Sequence, residues 1–273
     1  MPRLTDANLE EHKLPKGSYG YSAAKIGDLG ASEFTLVTII NDVSSSVHGF
    51  KKDMEDTLQK IVEACESSPR RDNLLIRLVQ FANNVGETHG FQPLDACKQY
   101  KYADCLNVGG STALFDASQN GVMATHDYAK KLADQRFMVN AIVIVITDGC
   151  DNASASSASD VKKALSLCMK DEALESVVSI LIGVGIDDTY VASRLVDFQK
   201  EAGFTQYIEQ RSADAKTLAK LAEECVNVFQ STKDGKRLPS IKDPAISSDM
   251  QLYRWGGQAI IAKGDKIYSF KMK

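Results

Sequence analysis

Residues 35–48 read TLVTIINDVSSSVH: an apolar run that stops at Asn41-Asp42 and turns into three consecutive serines. Phe34 to Ile40 is nearly continuous in apolar residues, as expected for a strand buried on both faces of a parallel sheet. A carboxylate and hydroxyls directly after such a strand can cap a helix. They can also hold a metal ion.

Working outward, the same texture recurs. Phe50, Met54, Leu58, Ile61, Val62 and Cys65 form one apolar stripe at helical spacing. Leu74 to Phe81 reads as a strand, and a shorter one at 87–94 follows a turn at Asn83-Asn84, which suggests an edge hairpin. Residues 113–132 read as a helix, 141–146 (AIVIVI) as a buried strand, 160–169 as a helix, 177–184 as a strand, 189–200 as a helix and 206–209 as a short strand. A last amphipathic helix carries Leu218, Leu221, Ala222, Cys225, Val226 and Phe229. Strands alternating with helices imply right-handed crossovers. The fold class is therefore α/β: a doubly wound, mostly parallel central sheet with one antiparallel edge strand and helices on both faces.

The ends differ. Residues 1–33 show little period and several glycines, and read as an N-terminal extension outside the core; 34–231 form the main domain. In 232–273 the alternation stops, and QAIIAKGDKIYSF reads as a β-hairpin turning at Lys263-Gly264-Asp265. The two extensions are expected to pack together as a small β element.

Composition narrows the function. With 273 residues, 44% hydrophobic and 25% charged, the chain has ample material for a core. A formal net charge of −4 and the lack of a long basic block argue against nucleic-acid binding. No segment approaches the roughly 18 apolar residues of a membrane span, and the N-terminus has no apolar signal region. Six cysteines stand singly without a CxxC, which reads as reduced thiols in a cytoplasmic protein. Walker A, GxSxG, HExxH and Cys/His signatures are all missing. GVGID at 183–187 lacks the third glycine of a dinucleotide fingerprint and reads as a tight strand-to-helix turn.

Three strand ends carry oxygen-bearing side chains: Asp42, Ser44 and Ser46 after the first strand, Thr112 in Gly109-Gly110-Ser111-Thr112, and Asp148 after AIVIVI. A doubly wound sheet brings such loops to one edge. Oxygen donors without His or Cys select Mg²⁺, with Ca²⁺ or Mn²⁺ as alternatives.

This set resembles the DxSxS, threonine and aspartate signature of the metal-ion-dependent adhesion site in von Willebrand factor type A (vWA) domains. The resemblance covers roughly residues 34–231. It implies a Rossmann-like vWA fold in which Ser44, Ser46 and Thr112 ligate Mg²⁺ at about 2.1 Å while Asp42 and Asp148 act through bound waters and hydrogen bonds to the hydroxyls. It further implies a non-catalytic module in which a partner protein's Glu or Asp completes the metal's shell. His48-Gly49 replaces the acidic pair that serves an adjacent cation in integrins, so no adjacent metal site is expected. Asp116 and Asp151 are candidates to support the site, and Ser45 reads as a spacer. The wider texture is similar to vWA proteins of tellurium-resistance and stress or defence clusters. The alternative is a metal-dependent phosphohydrolase or phosphotransferase; a third is a site filled by the chain's own tail through Asp243, Asp249 or Asp265.

Overall fold

The computed structural model describes residues 9–14, 19–68, 70–97, 102 and 105–209, and the backbone of 210, 250–255, 258–263 and 266–271. In chain order the strands and helices are β1 (Leu9–His12), β2 (Tyr21–Ala24), β3 (Glu33–Asp42), α1 (Lys51–Ser67), β4 (Leu74–Phe81), β5 (Val85–Pro93), the single turn α2 (Leu94–Cys97), α3 (Leu114–Asp134), β6 (Met138–Thr147), α4 (Ala158–Lys170), β7 (Ser176–Val184), α5 (Thr189–Ala202), β8 (Gln206–Gln210), β9 (Met250–Trp255), β10 (Gln258–Lys263) and β11 (Lys266–Lys271). The described chain is thus α/β, with an eight-stranded sheet in the order β1-β2-β5-β4-β3-β6-β7-β8.

β3 lies at the centre. Every residue after Glu33 is buried, which only a strand covered on both faces can sustain. Because successive side chains alternate in direction, Phe34, Leu36 and Ile40 join one apolar cluster with residues of α3, α4 and α5, while Val37 and Ile39 join another with residues of α1 and α2. β4 and β6 flank β3, both parallel to it, so the chain leaves β3 in opposite directions on its two sides. The crevice beyond the carboxyl ends of β3 and β6 is the place where such sheets hold ligands. α3 crosses β3 closely at Gly121, where a Cβ would collide with Ile40, and Thr125 and Thr38 share a hydroxyl contact of 2.6 Å.

Local signals end several elements. Ser157 and Asp160 form a capping box on α4, and Asp188 caps α5 by accepting from Tyr190 N–H at 2.7 Å. GVGID is the turn from β7 to α5, with Gly185 at φ +65° and the Phe50 ring against its Cα.

β5 runs antiparallel to β4 as expected, and β2 and β1 extend the sheet beyond it. The described part of residues 1–33 is therefore built into the main sheet, which differs from the reading of that segment as lying outside the core. Tyr21 and Ala23 are buried, and the Tyr21 ring meets Phe91 and Tyr128 edge-on at 6.1 and 6.3 Å. At the other end β9, β10 and β11 form a separate three-stranded antiparallel sheet. Lys263 pairs with Lys266, so β10 and β11 are antiparallel partners as the hairpin reading expects, and β9 adds a strand. The two termini thus contribute to different sheets rather than to one shared element. The helix expected around Leu218 to Phe229 lies outside the described residues.

One buried ion pair ties the N-terminal strands down. Arg77, 1% exposed, donates from Nε to Glu87 Oε2 at 2.6 Å, and the other oxygen of Glu87 accepts from the Ser22 N–H at 2.9 Å and from its hydroxyl. Removing the carboxylate leaves a buried guanidinium without its counter-charge. Glu87→Ala should cost about 3–5 kcal/mol in urea unfolding, with Arg77→Met/Glu87→Met costing much less; a single substitution as mild as the double would contradict this.

Candidate functional site

Parallel pairing of β3 with β6 aligns Asn41 with Ile146, so the strands end side by side on Asp42 and Thr147. Asp42 is wholly buried, and both its oxygens are engaged: Oδ2 accepts from the Thr147 hydroxyl at 2.6 Å and Oδ1 from the Ser44 N–H at 2.8 Å. The chain then enters a 3-10 turn (Ser45–Gly49) that leads into α1. Ser44 Oγ lies 3.1 Å from Ser46 Oγ, which donates to Asp148 Oδ1 at 3.0 Å. A continuous row of oxygens therefore runs from Asp42 through Ser44 and Ser46 to Asp148. Ser46 is exposed, which opens the row to solvent.

Thr112 arrives from the third loop. Gly110 sits at φ +94°, a conformation natural to glycine, and a Cβ there would strike Asn83 Oδ1. Ser45 N–H donates to Gly110 O and Gly110 N–H to Ser45 Oγ, both at 2.9 Å. Thr112 N–H donates to Asn152 Oδ1 at 2.7 Å, and Asn152 N–H returns to Thr112 O at 2.9 Å. The backbone of Thr112 is thus laced to the loop that carries Asp148. Its side chain is buried, and among the described residues its hydroxyl is committed to no hydrogen bond.

The sequence reading of Ser45 as a spacer is corrected by these contacts: its hydroxyl clamps the glycine loop. Among the described residues neither Asp116 nor Asp151 is hydrogen-bonded to any of the five. Asp116 accepts from Ala155 and Ser156 N–H at 3.0 and 2.8 Å, and Asp151 accepts from Phe115 N–H at 3.2 Å, so together they seat the 151–156 segment on the start of α3. Ser154 accepts from the Phe115 and Asp116 amides at 3.0 Å each and serves as a cap supplied from a distance. His48 is exposed at the far end of the 3-10 turn. Sequence reasoning missed Thr147, Asn83 and Asn152. Only Thr147 had a visible signal, its place at a strand end beside Asp148.

The electrostatics favour a cation. Burial pushes the Asp148 carboxyl up to about 6, with the Asp42 charge adding to the shift. Burial also raises Asp42, against the hydrogen bonds from Thr147 and Ser44 that favour its charged form. Among the described residues no Lys, Arg or His pairs with either carboxylate, although Asp42 is fully buried and Asp148 is 8% exposed. Buried charges are otherwise paired or bound to metal. Also among the described residues, no cluster of three or more His, Cys, Asp or Glu is placed to hold a metal. A cation site here must draw on hydroxyls. Two carboxylates and three hydroxyls fit a hard divalent cation and suit zinc or copper poorly.

Comparison with known proteins agrees with this architecture. The sequence model of the von Willebrand factor type A domain family matches residues 37–224. No curated protein matches the sequence. Among solved structures, the D319A mutant of the PilB minor pilin from Streptococcus sanguinis is similar with a TM-score of 0.52 at 16% identity, over 74% of this chain and 63% of that one. The unmutated PilB minor pilin gives a TM-score of 0.50 at 18% identity, over 73% and 62%. An aerotolerance-related membrane protein from Bacteroides fragilis gives 0.44 at 15% identity, over 71% and 99%. The chain therefore spans less than two thirds of the PilB structures, and these likenesses are of fold alone. The family match covers more than half of the chain, from within β3 through β8, and takes in all five residues at the three strand ends: the chain belongs to the von Willebrand factor type A domain family.

Proposed function

We propose that Asp42, Ser44, Ser46, Thr112 and Asp148 form a metal-ion-dependent adhesion site that takes Mg²⁺, or Ca²⁺ or Mn²⁺ in its place, and binds an acidic side chain of a partner protein. The observation that carries this reading is the pair of buried carboxylates without a cationic partner among the described residues, facing hydroxyl oxygens. When bound, the cation supplies an open position for a carboxylate oxygen from outside. This chain's residues do the rest. Ser44, Ser46 and Thr112 offer neutral oxygens, which leave the ion's charge poorly compensated and eager for an anion. Thr147 and the Ser44 amide hold Asp42 in place as a fixed acceptor. Asp148 orients the Ser46 hydroxyl.

We take the role to be one of recognition rather than of turnover by a metal-dependent phosphohydrolase or phosphotransferase. Asp243, Asp249 and Asp265, the candidates for self-occupancy, lie outside the described residues. No described helix is long and apolar enough to cross a membrane. On the singly spaced cysteines of the sequence we place the chain in the cytoplasm. On the sequence resemblance alone, we place the module in a stress-response or defence complex of the tellurium-resistance type.

Mg²⁺ titration by calorimetry should show saturable binding to the wild-type chain, weakened about 100-fold in Asp42→Ala and Thr112→Ala. Capture of a partner should fail in EDTA and in both variants; capture unchanged by EDTA would sink the reading. Mg²⁺-dependent turnover of an aryl phosphate, lost in both variants, would favour the enzyme instead.

A pH effect also follows. Burial pushes Asp148 up to about 6 in the folded chain from an ordinary carboxylate value of 3.8, so in EDTA its protonation favours folding. That stabilisation is full below the lower value and is lost as pH rises through the upper one. The metal-free melting temperature of the wild type should therefore gain on that of Asp148→Asn as pH falls from about 7.5 to about 5.5. Parallel curves for the two chains would contradict it.

A further inference from the structure

Five consecutive amides, from Gly109 to Ala113, leave one loop and end on three separate segments. Gly109 N–H donates to Val43 O at 2.8 Å and Gly110 N–H to Ser45 Oγ at 2.9 Å, both in the loop after β3. Ser111 N–H donates to Asn83 Oδ1, and Ala113 N–H to Ala82 O at 2.8 Å, both in the turn between β4 and β5. Thr112 N–H donates to Asn152 Oδ1 at 2.7 Å, in the loop after β6. Gly110 and Ser111 are exposed, so water could have satisfied their amides. Every one of the five nevertheless points to protein.

Two of the five acceptors are asparagine side chains outside the five-residue signature. Asn152 closes a ring with Thr112, accepting from its amide and donating its own N–H back to Thr112 O. Asn83 occupies the space that a Cβ on residue 110 would need, so Gly110 and Asn83 interlock. The Ala82 and Asn84 backbones close the turn that carries Asn83, at 3.2 Å.

Building on the metal-site reading above, we propose that Asn83 and Asn152 are positioning residues of the site. They fix loop 109–113 so that the Thr112 hydroxyl is in place before a cation arrives. A loop already ordered loses little conformational freedom when its ligand binds, which strengthens binding without any added contact.

Hydrogen exchange of the full chain in EDTA tests this without any metal. Amides 110 to 112 should be protected in the wild type; exchange should quicken at 111 in Asn83→Ala and at 112 in Asn152→Ala. Asn83→Asp keeps an acceptor oxygen and should restore protection at 111. Mg²⁺ affinity by calorimetry should fall about threefold to tenfold in each alanine variant. Unprotected amides in EDTA that become protected only with Mg²⁺ would overturn the proposal, as would wild-type exchange and wild-type affinity in both alanine variants. A wild-type chain with no Mg²⁺ affinity would overturn the metal-site reading instead, while exchange in EDTA would still decide whether the loop is pinned.

Discussion

Two carboxylates at the ends of neighbouring parallel strands set the terms for the rest of this molecule. Asp42 and Asp148 are both buried, the charge of Asp42 raises the cost of charging Asp148, and no cationic side chain among the described residues offsets them. A chain that only had to fold would place apolar or small residues there. Keeping two carboxylates is costly for the bare fold. The arrangement makes sense if the missing positive charge comes from outside, and the hydroxyls of Ser44, Ser46 and Thr112 give that charge oxygens to rest on.

The sheet turns this local chemistry into a site. β3 is central because its side chains must be covered on both faces, and α1 on one side and α3 to α5 on the other provide that cover. The register of β3 against β6 then places Thr147 within reach of Asp42. Three loops that leave the same sheet edge bond to one another through backbone and side chain, so the core's rigidity extends to the oxygens. Burial, register and hydrogen bonding thus act at successive scales on one cluster.

Most of the central fold was legible in the sequence because buried strands and amphipathic helices leave strong periods. Leu74–Phe81 falls where its apolar run predicts it, and β7 and α5 differ from expectation only at their ends. β1 and β2 were not legible as sheet strands: four residues such as LEEH carry no period of their own, and Tyr21 is recognisable as core only once Phe91 and Tyr128 stand beside it. Asp42, Ser44, Ser46, Thr112 and Asp148 stood out in the sequence through their resemblance to the vWA signature, carried by oxygen side chains at strand ends. Asn83, Asn152 and the clamp role of Ser45 were hidden, since an Asn in a turn or a Ser in a serine run has many uses. Their roles depend on which loops meet, which is a property of the folded sheet.

In the proposed site a hard divalent cation rests among Ser44, Ser46 and Thr112, with Asp42 and Asp148 behind them. The most direct measurement is anomalous diffraction from crystals of the full chain grown with Mn²⁺. Wild-type crystals should show one strong peak within about 2.3 Å of the Ser44, Ser46 and Thr112 hydroxyl oxygens, lost in Asp42→Ala crystals. A site empty at saturating Mn²⁺, or a peak bound elsewhere on the chain and indifferent to Asp42, would contradict it.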